Sequence, residues 1–87
     1  MSEEMSIYDC CKLSQDIQMA SNPHAVVNEL GRVMRALSKH GLSTDQITSH
    51  CSVICLIDKL CSLSGIQFDT DKVFKAYKNC MKVLSDD

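Results

Sequence analysis

Proline occurs once and glycine three times in this chain, no stretch of useful length alternates apolar and polar residues, and no Asn-Gly or Asp-Gly dipeptide marks a hairpin. These absences remove the signals of a β-sheet and leave an all-α architecture. No apolar run approaches the ~20 residues of a membrane-spanning helix. The N-terminal MSEEMS is acidic where a secretory signal starts basic, so the expected location is the cytoplasm, that of a host cell if a phage encodes the chain. Positive charge is not in excess either. A formal net charge of -2 does not suit a protein held to nucleic acid by phosphate contacts over its whole surface, and only a local basic patch could serve. The sequence has no internal repeat, no low-complexity segment and none of the recognised catalytic motifs.

The 87 residues are 45% hydrophobic and 23% charged, the balance of a folded domain rather than a disordered chain. Residues 1–87 are expected to form one helical domain. A chain of this size buries only around 60% of its unfolded surface, which makes pairing with a second copy advantageous and a homodimer the expected state. Six cysteines in so short a chain raise the prospect of a disulfide scaffold. Cys10 and Cys11 are neighbours, however, and Cys51, Cys55, Cys61 and Cys80 fall inside helical patterns, so without export the thiols read as reduced core residues.

Apolar spacing and capping signals divide the chain into about four helices and one extra short helical turn, packed as a compact bundle. The first helix is expected over residues 4–20, started by Ser2 or Ser6, with Ile7, Cys10, Cys11, Leu13, Ile17 and Ala20 facing inward. Asn22 as N-cap and Pro23 as first helical residue open the second, which runs to about His40 and ends on Gly41. Val26, Val27, Leu30, Val33, Met34 and Leu37 form its buried stripe. The S-x-x-Q pattern of Ser43 to Gln46 reads as a capping box for one turn over 44–48. Ser49 then caps a central helix from His50 to Ser64, stopped by Gly65, with Ile66 and Phe68 as apolar anchors in the following connection. Asp69 or Thr70 starts the last helix, whose inward side is expected to carry Val73, Phe74, Tyr77, Cys80, Met81 and Leu84. Ser85, Asp86 and Asp87 form a tail expected to fray.

The central helix is the densest apolar segment. On a helical wheel Val53, Ile54, Leu56, Ile57, Leu60, Cys61 and Leu63 cover roughly 180°, beyond the ~100° stripe of a surface helix. The opposite strip of Cys51, Ser52, Cys55, Asp58, Lys59 and Ser62 is narrow and mostly small. Cys51, Cys55, Asp58 and Ser62 are therefore candidates for self-association, although the chain's own first helix could cover the same seam.

Two further surfaces are candidates for partner binding. Tyr8, Lys12 and Met19, with Gln15, lie on the polar side of the first helix, where the core does not require Tyr or Met. Arg32, Arg35 and Lys39, with Asn28, fall within roughly 60° of one another on the second helix, and Glu29 at their edge can pair with Arg32. Tyr, Met and Arg are enriched at interface cores. Seven of the nine cationic residues lie on the second and last helices, while Glu3, Glu4, Asp9 and Asp16 make the first region acidic. The last helix has its own lysine stripe of Lys72, Lys75, Lys78 and Lys82.

Metal and catalytic readings are weaker on these residues. His50, Cys51 and Cys55 are close in sequence, but zinc needs four converging ligands. Cys61 points about 120° away from Cys55, so the remainder would have to come from Cys10, Cys11 or Cys80. A Cys nucleophile paired with His50 lacks an orienting third group. A magnesium-dependent nucleotide pyrophosphohydrolase needs several facing acids, and Glu29 and Asp58 are too few. A helix-turn-helix with its turn at Lys39 to Ser43 would place a mostly apolar helix in the DNA groove. The residues thus imply no catalytic group, metal or cofactor.

The segment Ala36 to His50, ALSKHGLSTDQITSH, followed by an apolar helix, resembles stretches in small uncharacterised proteins encoded by tailed bacteriophages. The likeness spans about half the chain, from Val26 to Gly65, and Cys51 stands where that pattern often has proline. The resemblance implies a setting rather than site residues: small phage accessory proteins often bind and block a host enzyme or defence complex. The expectation is a non-enzymatic interaction protein that inhibits a host protein. A small nucleic-acid-binding regulator using the Lys and Arg stripes is the alternative.

Overall fold

The computed structural model describes residues 5–85. Within them the chain forms five α-helices and no strand: α1 (Ile7–Asp16), α2 (Pro23–Lys39), α3 (Thr44–Thr48), α4 (Cys51–Leu63) and α5 (Thr70–Ser85), with a 3-10 turn at Ile17–Met19 after α1. The all-α bundle of four longer helices and one short turn is the expected architecture. Its extents are 36 × 26 × 24 Å. No helix of the described residues is long and apolar enough to cross a membrane.

Local chemistry sets the boundaries. Ser6 accepts from the Asp9 backbone N–H and Asp9 Oδ2 accepts from the Ser6 N–H, a reciprocal box that starts α1 at residue 7. The expected start at residue 4 and the Ser2 cap lie outside the described residues, as do Glu3, Glu4, Asp86 and Asp87. Helix α1 also ends earlier than the apolar spacing suggests, tightening into the 3-10 turn before the break at Ser21 to Pro23. Asn22 accepts from His24 N–H at the start of α2. Gly41 and Gly65, at φ +88° and +74°, close α2 and α4. In each case the next residue donates back one turn, Leu42 N–H to Leu37 O and Ile66 N–H to Cys61 O, the paired bonding that follows a left-handed glycine. The cap of α4 is His50, not Ser49: its Nδ1 accepts from Ser52 N–H at 3.2 Å. Ser49 instead terminates α3. Asp69 Oδ1 accepts from the N–H groups of Asp71 and Lys72 and starts α5.

Helix α4 packs against every other helix, as its broad apolar arc requires. The core on either side of it has two halves of different composition. On the α2 side Val26, Val33, Leu37, Val53 and Leu56 are fully buried, each worth about 1.5–3 kcal/mol by transfer from water. On the α5 side the buried residues are Cys11, Cys51, Ile54, Cys55, Val73, Ala76 and Cys80, and four of these seven are thiols. Helix α1 contributes to both halves through adjacent residues, Cys10 to the first and Cys11 to the second, because consecutive side chains diverge by about 100° on a helix.

Helix α5 keeps four of its six expected inward residues, Val73 and Cys80 buried and Tyr77 and Leu84 packed on the thiol half of the core, but its inward face is turned toward Ala76. Val73, Ala76 and Cys80 face inward, whereas Phe74 is 64% and Met81 57% exposed. The inward 3-4 spacing runs 73, 76, 80, and Ala76 lets α5 approach α4 closely, a fit that the larger Phe74 and Met81 would prevent. Phe74 instead lies under Lys78, whose Nζ is 5.4 Å from the ring centroid. Val27 and Ile66 are likewise exposed, while Phe68 packs on the thiol half of the core.

Candidate functional site

The cationic face of α2 follows from helix geometry, since residues 32, 35 and 39 recur at spacings of three and four. Arg32 Nη1 donates to Glu29 Oε2 at 2.9 Å. The Arg35 guanidinium folds back over Gly31, where an added Cβ would sit 3.3 Å from Nη1. His40 Nε2, at the end of the same helix, donates to the Met5 carbonyl at 2.6 Å, and this bond draws the segment preceding α1 onto α2. Met5, Arg32, Arg35, Ala36 and Lys39 thereby surround a depression of about 90 Å³ with an apolar floor and a cationic rim. Such a volume accepts one side chain; it is below the ~300 Å³ at which small-molecule sites begin.

Tyr8 and Lys12 are exposed on α1 and Met19 is 90% exposed in the 3-10 turn. None of the three lines the α2 depression. Gln15, from the same polar side, instead joins α1 to α5 by donating to Met81 Sδ.

The small-residue seam of α4 is not a free surface. Cys51, Ser52 and Cys55 are 8%, 0% and 1% exposed because α1 and α5 both pack against α4 there. Asp58 is half-buried and accepts from Tyr77 OH of α5 at 3.4 Å; burial, with the nearby Cys55 and Asp58 charges, pushes the Tyr77 pKa up. Of the four self-association candidates only Ser62 is exposed. The chain's own α1 and α5 cover the seam, the alternative to a second copy, so the role expected for Cys51 and Cys55 in a dimer contact is corrected to an internal one, and half-buried Asp58 is engaged by Tyr77.

What closes over that seam is a cluster of sulfurs. Cys11 Sγ lies 3.7 Å from Cys51 Sγ, and Cys55 Sγ lies 3.9 Å from Cys80 Sγ. The sulfurs of Cys11, Cys51 and Cys80 are all within 4.8 Å of one another. Ser14, fully buried, bonds to the Cys11 carbonyl at 2.8 Å and approaches Cys80 Sγ at 3.9 Å. Three thiols and this hydroxyl surround Cys80, so their hydrogen bonds depress its pKa while burial opposes them. Cys11 and Cys55 are pushed up in turn by donating hydrogen bonds and by burial. His50 is held below its usual pKa by burial, which keeps Nδ1 an acceptor for the α4 cap.

A groove of about 270 Å³ leads to this cluster. It is lined by Ser49, Cys51 and Ile54 on one wall and by Lys72, Lys75, Ala76 and Asn79 of α5 on the other. Sequence spacing named Cys11 and Cys80 among the only residues able to join Cys51 and Cys55, but their meeting depends on how α1 and α5 pack. Phe74 and Met81 were missed as surface residues, and Ala76 was the signal for the true phase.

No family model, no curated protein and no solved structure matches this chain.

Proposed function

We propose that this chain is a non-enzymatic interaction protein that binds and inhibits a host protein by covering an acidic surface, as the resemblance to phage accessory proteins implies. The observation that carries the reading is the convergence of Arg32, Arg35 and Lys39 around one depression floored by Ala36 and Met5. A carboxylate from a partner entering there meets the Arg35 guanidinium, suited to bidentate pairing, and competes with Glu29 for Arg32, while apolar atoms beneath it take the stem of the same side chain. Cationic rims also raise the rate of encounter with acidic partners. The depression and the α5 groove are both below the volume range of sites for a bound metabolite. His50, the one histidine near the thiols, spends Nδ1 on the α4 cap. Both facts favour a contact role over a catalytic one.

The test compares the native chain with an Arg32→Glu/Arg35→Glu/Lys39→Glu variant of equal helix content, each used to capture partners from host lysate and measured against the recovered protein. The expected result is at least a tenfold loss of affinity, since opposed like charges in a contact cost several kcal/mol. A variant that binds the recovered partner as tightly as the native chain removes this face from the proposal. The alternative reading, a nucleic-acid-binding regulator, draws on the same stripe and on Lys72, Lys75, Lys78 and Lys82 of α5. It requires binding to duplex or single-stranded nucleic acid at about 50 mM salt that weakens steeply by about 200 mM. Sedimentation reads the expected homodimer separately, and such a dimer would have to use a surface other than the closed α4 seam.

A further inference from the structure

The six cysteines divide by surroundings. Cys10 is buried in the α2 half of the core with Sγ 3.9 Å from Met5 Sδ, and Cys61 is half-buried on α4. Both act as small apolar side chains. The other four come from three different helices, Cys11 from α1, Cys51 and Cys55 from α4 and Cys80 from α5; the sulfurs of Cys11, Cys51 and Cys80 converge, and that of Cys55 meets Cys80.

We propose that Cys11, Cys51, Cys55 and Cys80 form a tetrathiolate zinc site that clasps α1, α4 and α5 together. Zinc–sulfur bonds of about 2.3 Å in a tetrahedron put the sulfurs about 3.8 Å apart; the Cys11–Cys51 and Cys55–Cys80 separations are 3.7 and 3.9 Å. Cys11, Cys51 and Cys80 supply three corners, and Cys55, whose sulfur already touches that of Cys80, turns in as the fourth.

The composition of this half of the core supports the assignment independently. The largest fully buried side chains, Leu37, Leu56, Val26, Val33 and Val53, all belong to the α2 side. The α5 side has thiols and a buried Ser14 at its centre instead, a poor source of hydrophobic stability in a chain small enough to benefit from a staple. The ion also has a route in, because the groove between α4 and α5 has Cys51 in its lining. Binding sends the thiol protons to solvent and leaves two net negative charges on the zinc tetrathiolate. Lys72 and Lys75 border the groove beside it, and Cys51 is the first residue of α4, where the positive end of the helix dipole favours a thiolate.

The test titrates the reduced, metal-stripped full chain with Zn²⁺ against a chromophoric chelator, and with Co²⁺ to read geometry from the intensity of its visible bands. One Zn²⁺ per chain at a Kd on the order of 10 nM or tighter, with the intense bands of tetrahedral thiolate-bound Co²⁺, is the expected result. Cys51→Ser and Cys80→Ser should each weaken binding by about 100-fold or more, and Cys61→Ser should leave it unchanged. The cobalt spectrum of the native chain keeps the proposal falsifiable if a serine variant fails to fold. Zinc binding weaker than about 1 µM, the faint bands of six-coordinate Co²⁺, or an equal loss in Cys61→Ser overturns it.

Discussion

The inward face of α5 makes opposite demands on Phe74 and Ala76, two residues about 200° apart around the helix, and stability measurements separate them. Phe74 is 64% exposed, so only about a third of the 1.5–3 kcal/mol available from a fully buried aromatic ring is realised, roughly 0.5–1 kcal/mol. Its contact with Lys78 adds about 0.5–1 kcal/mol at an exposed site, and alanine recovers up to about 0.7 kcal/mol in helix propensity. Phe74→Ala should therefore cost about 1 kcal/mol. Had the ring been in the core, as apolar spacing alone suggests, the cost would be about 3–5 kcal/mol. Ala76 is 4% exposed within the packed α4–α5 contact, so Ala76→Leu should cost about 1–3 kcal/mol by overpacking although it adds apolar surface. Urea unfolding followed by circular dichroism distinguishes the cases through the midpoint, with the slope m unchanged. A domain of this size has on the order of 4–13 kcal/mol of stability, so a 1 kcal/mol loss leaves it folded and a 4 kcal/mol loss threatens it. A Phe74→Ala loss of 3 kcal/mol or more, or an Ala76→Leu variant as stable as the native chain, refutes this inward face.

Gly31→Ala on α2 should raise stability by about 0.5–1 kcal/mol through helix propensity, because the atom an added Cβ meets is the flexible end of Arg35. If the mobile guanidinium yields, urea midpoints rise; a fall shows that Arg35 is held rigidly over the glycine. His50→Ala should cost about 1 kcal/mol by leaving the Ser52 N–H of α4 without its cap, while His50→Asn, a preferred N-cap, should retain most of the native stability. Equal losses in the two variants, read by thermal or urea unfolding, would show that His50 acts through burial rather than capping.

Most helix boundaries were legible because their caps are made by residues within one turn; the start of α4 was not, since His50 takes the capping role that Ser49, a commoner cap residue, was expected to have. Asn22-Pro23, the Ser43 to Gln46 box and the two terminating glycines act through neighbours a few positions away, so the local sequence contains the whole interaction. The cationic face of α2 was legible for the same reason: three residues at helical spacing share a side whatever the helix packs against. The phase of α5 was harder to read. Val73, Tyr77, Cys80 and Leu84 pack inward as apolar spacing predicts, but Phe74 and Met81 satisfy that spacing at least as well as Ala76, and the choice among these depends on how closely α4 can be approached.

By itself the sequence determined an all-helical chain, most of its breaks, a broad apolar arc on α4 and a basic stripe on α2, all consequences of 3.6-residue periodicity and of caps made within a turn. Only the tertiary structure decided what meets the small-residue seam of α4. Cys11 and Cys80 are 69 positions apart in the chain, and whether their sulfurs reach Cys51 and Cys55 depends on the angles and rotations at which three helices pack. Those are set by side-chain volumes across every contact at once, so a seam that a helical wheel leaves to either the chain's own first helix or a second copy becomes the buried thiol centre of the fold.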